Sequence, residues 1–169
     1  MKIIKRSVSI AGLLLCSAAL VWAGGSREEG RTTLETVREQ GYFVLGLDDS
    51  FPPMGFRGED NEIVGFDIDM AREVASRMGV ELRLRPVDWD GVILSLNKGD
   101  IDMAWNGMTI TPNRKEKIAF SEPYLANRQS VVVRQESEID DKADLAGKTV
   151  GFQMGSSSET AVNAEPETA

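Results

Sequence analysis

The chain has 169 residues, of which 41% are hydrophobic and 27% are charged, and its formal net charge is −8. This length and composition indicate a globular protein of one domain or two small ones, and exclude a disordered chain or a multi-span membrane protein. The acidic balance argues against nucleic-acid binding, which needs a basic surface. The sequence has no histidine and one cysteine, which excludes histidine-based catalysis, histidine-ligated zinc and an internal disulfide. We therefore expect no metal site and no cofactor.

The N-terminal residues predict a cleavable secretory signal peptide. Residues 1–6 carry three basic side chains, residues 7–22 are mostly small and apolar, and the tripeptide 21–23 fits a small-x-small cleavage site. The apolar run is too short for a comfortable membrane span. We therefore expect cleavage after Ala23, a polar lead at residues 24–32, and a periplasmic or other extracytoplasmic location.

Two alternatives for this leader stay open, an uncleaved membrane anchor and lipidation at Cys16. Bacterial lipoproteins usually carry glycine, alanine or serine immediately before the modified cysteine, whereas this chain has Leu15. Cleavage after Ala23 also removes the one cysteine, which suits a protein of an oxidising compartment. The sequence therefore favours the cleaved form without a lipid.

The central part of the chain alternates between strand and helix patterns. Residues 42–47 form an almost continuous apolar run, which is typical of a strand buried on both faces. Residues 80–85 alternate apolar and charged side chains, as in a strand with one solvated face. The predicted elements in chain order are a short helix ending at Gly41, the strand 42–47, a hairpin at 54–66, a helix from Asp67 to Gly79, the strand 80–85, a helix ending at Gly99 and a strand at 101–105. This order predicts an α/β fold with a mostly parallel sheet flanked by helices and joined by right-handed crossovers.

Local signals mark the helix faces and ends. Thr32 or Thr33 is the predicted cap of the first helix, which has Leu34 and Val37 on one face. In the second helix, apolar side chains recur at helical spacing. They are Ile68, Ala71, Val74, Ala75 and Met78.

The aspartates of this region are interpreted as structural, since they do not show a metal-ligand spacing. Asp88 or Asp90 is the predicted cap of the third helix, and Asp49 is interpreted as a surface residue. The aspartates interpreted as helix caps and solvated edges are Asp67, Asp69, Asp90, Asp100 and Asp102.

The second half of the chain predicts a new start of the strand–helix pattern. The predicted elements are a basic turn or short helix at 111–118, a β-branched strand at 130–134, a strand at 148–153, a turn at 155–158 and a helix from Glu159. One strand and one helix cannot bury an apolar face by themselves. We therefore expect residues 33–130 to form a first lobe, residues 131–169 to form a hinge crossing and the start of an incomplete second lobe, and the chain to be truncated or a fragment.

Ligands of open α/β sheets bind beyond the carboxyl ends of the strands. An amino acid presents a carboxylate there, and Arg114 is suited to hold it by a bidentate, charge-assisted pair. Backbone N–H groups from Gly107 to Thr109, and the Thr109 hydroxyl, are suited to share that anion. The alternative for Arg114 is a solvated basic turn with Lys115 and Lys117.

Two aromatic residues follow other strands at the same predicted edge. Phe51 and Trp89 are candidates to sandwich the apolar or cationic body of a ligand. For each of them, burial in the core is the alternative interpretation.

Seven blocks of the sequence, in this order and spacing, resemble the polar-amino-acid branch of the ABC-importer substrate-binding proteins, the bacterial extracellular solute-binding protein family 3. The resemblance extends from about Leu34 to about Ala161. The blocks are residues 46–53, 65–71, 88–93, 107–111, 114–115, 118–124 and 150–157. It implies a periplasmic-binding-protein-like fold in which two lobes close on a free amino acid. It also implies a monomeric protein that delivers this ligand to a membrane permease.

The resemblance also implies the ligand-binding residues. Asn106, Gly107, Thr109 and Arg114 match positions that hold the ligand carboxylate. Phe51 and Trp89 match pocket residues, and Ser157 matches a turn that offers hydroxyls and N–H groups. Asp48 matches a position at the ligand's side-chain end, where a carboxylate favours an ammonium, a guanidinium or an amide. For Asp48, a turn-forming aspartate is the alternative.

The family pattern places a further carboxylate for the ligand ammonium later in the second lobe, beyond Ala169. We therefore expect this chain by itself to bind weakly or not at all. We expect no enzyme activity. The alternatives are a ligand-sensing domain of a membrane receptor, a periplasmic cyclohexadienyl-dehydratase-like enzyme with Asp48 as its acid, and a degraded reading frame.

Overall fold

The apolar run at residues 42–47 is the central strand of a parallel sheet in the computed structural model, which describes residues 33–165. The described residues all belong to one compact unit. The predicted signal peptide, Cys16, the polar lead and Thr32 lie outside the described residues.

The helices and strands from residue 33 to residue 115 follow the predicted order. The helices are α1 (Thr33–Gln40), α2 (Phe66–Met78), α3 (Val92–Lys98), α4 (Pro112–Lys115) and α5 (Ser157–Asn163). The strands are β1 (Tyr42–Leu47), β2 (Ser50–Phe51), β3 (Gly55–Arg57), β4 (Ile63–Val64), β5 (Glu81–Pro86) and β6 (Met103–Ala104). Short 3-10 turns lie at Trp89–Gly91 and Ala143–Leu145. Among residues 33–165, no helix is long and apolar enough to cross a lipid bilayer.

Strand β1 lies between β5 and β6 and runs parallel to both, which confirms the predicted parallel sheet. Leu45 pairs with Leu84 on one side and with Met103 on the other. Phe43, Leu45 and Leu47 are fully buried. The central position of β1 therefore explains its apolar composition.

Helix α2 packs on this sheet through the predicted apolar face. Ile68, Ala71 and Ala75 are buried in one cluster with the side chains of β1. The helix ends at Gly79, whose positive φ of 69° is the left-handed conformation that glycine adopts at helix ends. The predicted helix is thus confirmed, and it begins at Phe66, one residue before the predicted start.

The predicted hairpin at residues 54–66 is also confirmed. β3 pairs antiparallel with β4, and β2 pairs with the other side of β3. The Phe66 N–H donates to the Pro53 carbonyl at 2.9 Å. This bond ties the start of α2 to the chain that leaves β2.

Two details of the short helices correct the prediction. Leu34 is predicted to share a packed face with Val37, but it is 45% exposed. Helix α1 packs through Val37, which is buried. Neither Asp88 nor Asp90 caps α3, since Gly91 precedes the helix and the Asp88 side chain makes no cap hydrogen bond. The 3-10 turn takes the place of a cap, because the N–H of Val92, the first residue of α3, donates to the Trp89 carbonyl.

The predicted strands at 130–134 and 148–153 are wrong. Neither segment pairs with another strand among residues 33–165. A β-branched composition does not by itself form a strand, because the backbone needs a hydrogen-bonding neighbour. Val132 is accordingly 91% exposed.

The last described helix begins two residues earlier than predicted. Helix α5 starts at Ser157 rather than at Glu159, because the Ser156 hydroxyl caps it by accepting the Glu159 N–H at 3.2 Å. The predicted boundary between two lobes near residue 130 stays a prediction.

Candidate ligand-binding site

Loops that follow β1, β5 and β6 meet at one edge of the sheet. Asn106 follows β6, is 3% exposed, and accepts the Asp48 N–H on its side-chain oxygen at 3.0 Å. This bond fixes the loop after β6 to the loop after β1. The Asn106 Nδ2 is buried without a hydrogen-bond partner among residues 33–165. The structure therefore places Asn106 beneath the edge, as a brace between two loops.

The carboxylate of Asp48 is held by three donors. Asp48 Oδ1 accepts the N–H and the hydroxyl of Ser50 at 2.8 and 2.6 Å, and Asp48 Oδ2 accepts the side-chain amide of Gln153 at 2.5 Å. Partial burial opposes ionisation, but these hydrogen bonds outweigh it and lower the pKa of Asp48 from its ordinary value. Asp48 therefore shapes a turn and also presents a carboxylate at the edge.

A cavity of about 380 Å³ lies beside Asp48. It is lined by Asp48, Asp49, Ser50, Pro86, Val87, Asp88, Trp89 and Gln153. Asp49 also pairs with Arg57 at 2.6 Å, so the interpretation of Asp49 as a plain surface residue is incomplete. Acidic side chains dominate the charge of this lining, which suits a cationic ligand group.

The two aromatic candidates lie at different parts of this edge. Trp89 is half-buried and lines the cavity. Phe51 is 46% exposed, which excludes the alternative of a core residue. Its ring edge lies 3.6 Å from the position that a Cβ atom would take at Gly107. Phe51 therefore covers the loop after β6, and Trp89 faces the acidic cavity.

Arg114 is buried, with 7% exposure, so the alternative of a solvated basic turn is wrong for this residue. Thr111 caps α4 by accepting the Arg114 N–H at 3.3 Å. The guanidinium donates from Nη1 to the Thr109 carbonyl and from Nη2 to the Gly155 carbonyl, each at 2.9 Å. Burial lowers the pKa of Arg114 from its ordinary value, and arginine nevertheless stays a cation.

No carboxylate within residues 33–165 pairs with the Arg114 guanidinium. A buried cation without a countercharge is costly, because carbonyl dipoles replace only part of its hydration. The guanidinium is therefore prepared to take an anion.

Thr109 connects the loop after β6 to the segment that precedes α5. Thr109 Oγ1 accepts hydrogen bonds from the Asn127 side chain at 2.6 Å and from the Ser157 hydroxyl at 3.0 Å. The structure thus brings Ser157 to Thr109, beside Arg114. The sequence did not predict the contact of Asn127, because no local pattern marks this residue.

The Gly107 N–H, a predicted anion donor, is already bonded in this structure. It donates to the Tyr124 hydroxyl at 3.2 Å, and that hydroxyl donates to Asp67 Oδ1 at 2.9 Å. Asp67 is fully buried, so its interpretation as a helix cap or solvated edge is wrong. It lies in the first turn of α2 and faces inward, where burial raises the pKa of its carboxyl group.

The segment 153–157 lies across these loops. Gln153 contacts Asp48, Gly155 contacts Arg114 and Ser157 contacts Thr109. A Cβ atom at Gly155 would lie 2.6 Å from the Asp90 Cα, so glycine permits this close approach. Residues 33–165 contain no group of three or more histidine, cysteine or acidic side chains arranged to hold a metal ion.

Comparison with known proteins places the chain in a family. The sequence model of the bacterial extracellular solute-binding proteins, family 3, matches residues 43–165. The L-cystine-binding protein TcyJ of Escherichia coli (strain K12) is 38% identical over 128 residues, which cover 75% of this chain and 48% of that protein. The chain therefore spans about half the length of this curated relative.

Solved structures agree with this match. An ABC uptake transporter substrate binding protein from Streptococcus pneumoniae, with bound histidine, has a TM-score of 0.75 at 40% identity, over 78% of this chain and 54% of that chain. A mutant of the arginine-bound form of domain 1 from TmArgBP has a TM-score of 0.53 at 47% identity, over 54% of this chain and 71% of that chain. These similarities confirm the predicted periplasmic-binding-protein-like α/β fold. The chain belongs to the bacterial extracellular solute-binding proteins, family 3.

Proposed function

We propose that this chain is a substrate-binding component of an ABC importer for a polar amino acid, with cationic amino acids favoured. The free amino acid binds at the sheet edge, between the first lobe and a second lobe, and the monomeric protein delivers it to the membrane permease. One observation carries the proposal. The buried Arg114 guanidinium has no carboxylate partner among residues 33–165.

The Arg114 end of the site suits the ligand carboxylate. Nη2 of Arg114 donates to the Gly155 carbonyl, a neutral acceptor. A carboxylate makes stronger, charge-assisted hydrogen bonds with a guanidinium than a carbonyl does. We expect the ligand carboxylate to replace Gly155 at this nitrogen, with the Thr109 hydroxyl as a neighbouring donor.

The Asp48 end suits a cationic side chain. Asp48, Asp49 and Asp88 line the same cavity, and Trp89 offers a ring face for cation–π contact. A ligand guanidinium or ammonium is expected to replace the Gln153 amide at Asp48 Oδ2, because both are hydrogen-bond donors. An acidic side chain would be repelled here.

The relatives support a polar amino acid as the ligand. TcyJ is named for L-cystine, and the two solved structures contain histidine and arginine. The structure with arginine is that of domain 1 of its protein. It supports binding by a single lobe, against the expectation that this chain binds weakly or not at all.

We propose a binding role without catalysis. A dehydratase on this scaffold needs a general acid at the ligand, and Asp48 is the acidic candidate in the sequence. The pKa of Asp48 is lowered, so its carboxyl group is ionised at neutral pH. An efficient general acid needs a pKa close to the working pH.

We further propose that the chain is exported, with cleavage after Ala23 and no lipid at Cys16. The N-terminal pattern and the extracellular character of the family support this location. The intact mass of the native protein, isolated from the cell envelope, is expected to match a chain that begins at Gly24. A mass that retains residues 1–23, or that includes a diacylglycerol, would contradict the proposal.

Titration calorimetry of the full chain tests the ligand class. Arginine, histidine, cystine and glutamate are titrated separately at neutral pH. We expect arginine to bind and glutamate to give no signal. Binding of glutamate as tight as that of arginine, or binding of none of the four, would overturn the proposal.

Asp48→Asn is expected to weaken arginine binding about tenfold, because a hydrogen bond to a charged acceptor exceeds one to a neutral acceptor by about 1.4 kcal/mol. The asparagine oxygen still accepts the Ser50 donors, so the turn is retained. Calorimetry at neutral pH measures the change.

Asp69→Asn is the matched control, since the Asp69 side chain is 76% exposed on α2. The control is expected to bind arginine as the wild type does. Equal affinity of the Asp48 variant and the wild type would remove Asp48 from the site.

Because the pKa of Asp48 is lowered, the affinity of the wild-type chain for arginine should stay constant between about pH 5 and pH 8.

A further inference from the structure

The Tyr124 hydroxyl and the buried Asp67 carboxylate hold the loop after β6 through two hydrogen bonds. The Tyr124 hydroxyl donates to Asp67 Oδ1 at 2.9 Å and accepts the Gly107 N–H at 3.2 Å. Asp67 belongs to the first turn of α2 and is fully buried. The hydroxyl is therefore fixed between a rigid helix and the loop backbone.

The Tyr124 ring also contacts this loop. The Trp105 and Tyr124 rings are 6.2 Å apart between centroids and meet edge to face at 72°. Trp105 directly precedes Asn106, the brace between the loops after β1 and β6. The ring and the hydroxyl of Tyr124 thus contact the loop at two positions, Trp105 and Gly107.

Retention of a fully buried carboxylate needs a reason, because an apolar residue would cost less in this position. Burial, together with the hydrogen bond to Asp67, raises the pKa of Tyr124 to about 12, and the hydroxyl keeps its proton at neutral pH. A protonated hydroxyl that donates to Asp67 must use its oxygen lone pairs for other partners. Its geometry therefore presents an acceptor to Gly107.

We propose that Tyr124 and Asp67 are positioning residues that set the orientation of the 106–109 loop, and with it the ligand-facing groups of Thr109. Neither residue contacts the ligand. Tyr124 acts through the Gly107 N–H, and Asp67 acts through the Tyr124 hydroxyl. This inference rests on the proposed function of that loop in binding the ligand carboxylate.

Tyr124→Phe in the full chain removes the hydroxyl and keeps the ring against Trp105. We expect arginine affinity to fall about tenfold while circular dichroism shows a folded protein. We also expect the Gly107 amide to exchange with solvent at least tenfold faster by NMR, because its acceptor is gone. The exchange rate needs no ligand, so it tests the hydrogen bond separately from the proposed function.

Two variants separate positioning from general stability. Asp102→Ala removes the carboxylate that accepts the Val44 N–H at 2.7 Å, away from the loop, and should lower the unfolding temperature without changing arginine affinity. Asp67→Asn keeps an oxygen for the Tyr124 hydroxyl but removes the charge of the acceptor, and should weaken arginine binding less than Tyr124→Phe does.

The Gly107 exchange rate and the arginine affinity of Tyr124→Phe together decide the proposal. Faster exchange together with weaker binding in Tyr124→Phe supports the proposal. Unchanged Gly107 exchange overturns it, and so does faster exchange with unchanged affinity. If the wild-type chain binds no arginine, the proposed function fails, and the exchange rate by itself then decides whether Tyr124 holds the loop.

Discussion

Arg114→Ala is expected to weaken arginine binding about 100-fold. A bidentate hydrogen-bonded pair with a carboxylate contributes about 3 kcal/mol, and each 1.4 kcal/mol changes affinity about tenfold. The guanidinium has no carboxylate partner among residues 33–165, so the ligand supplies its countercharge. Titration calorimetry at neutral pH measures the loss.

Lys115→Ala is the matched control for this change. Lys115 is the next residue of α4 and is exposed, so its removal takes away one positive charge without touching the site. The control is expected to bind arginine within about twofold of the wild type, since an exposed charge contributes little. The arginine affinity of Arg114→Lys should lie between those of the two alanine variants, because lysine keeps the charge but lacks the paired donors of the guanidinium.

A different result would place the carboxylate elsewhere. If Arg114→Ala and Lys115→Ala weakened binding equally, the general positive field of α4 would attract the ligand. Retained affinity in Arg114→Ala would mean that the Thr109 and Gly155 carbonyls are the real partners of this side chain and that its role is structural.

The parts of the fold that could be predicted depend on local patterns. The apolar run of β1, the helical spacing of α2 and its stop at Gly79 are each contained in a few consecutive residues. A strand at 130–134 has the same kind of local signal, yet it does not form. Pairing depends on another segment of backbone, and composition does not report whether that segment is near.

The residues of the candidate site also differ in whether neighbouring residues in the sequence predict them. Arg114 could be predicted because the positions that resemble the family's carboxylate-binding residues, Asn106 to Arg114, are neighbours in sequence. Asp67 and Tyr124 are 57 residues apart, and an aspartate in the first turn of a helix normally indicates a solvated cap. Only the packing of α2 against the loop after β6 shows that this carboxylate is buried.

Phe43→Ala is expected to lower the free energy of unfolding by about 3–5 kcal/mol. Phe43 is fully buried in β1, within the cluster formed with α2. Its truncation removes a large apolar surface and leaves a cavity that the surrounding strands and helix fill only in part. Urea denaturation followed by tryptophan fluorescence measures the change. Leu34→Ala, at a residue that is 45% exposed on α1, is the control and should cost less than about 1 kcal/mol.

The folded Phe43→Ala variant should bind arginine with nearly wild-type affinity. Phe43 lies at the amino end of β1, and Asp48 follows its carboxyl end, a separation of roughly 15 Å along an extended strand. A domain stabilised by about 5–15 kcal/mol retains a folded population after such a loss, at least at low temperature. Arg114→Ala should show the reverse, with weak binding and a smaller loss of stability. If binding failed in folded Phe43→Ala, the core would set the site geometry directly, and the ligand could not be assigned to the sheet edge alone.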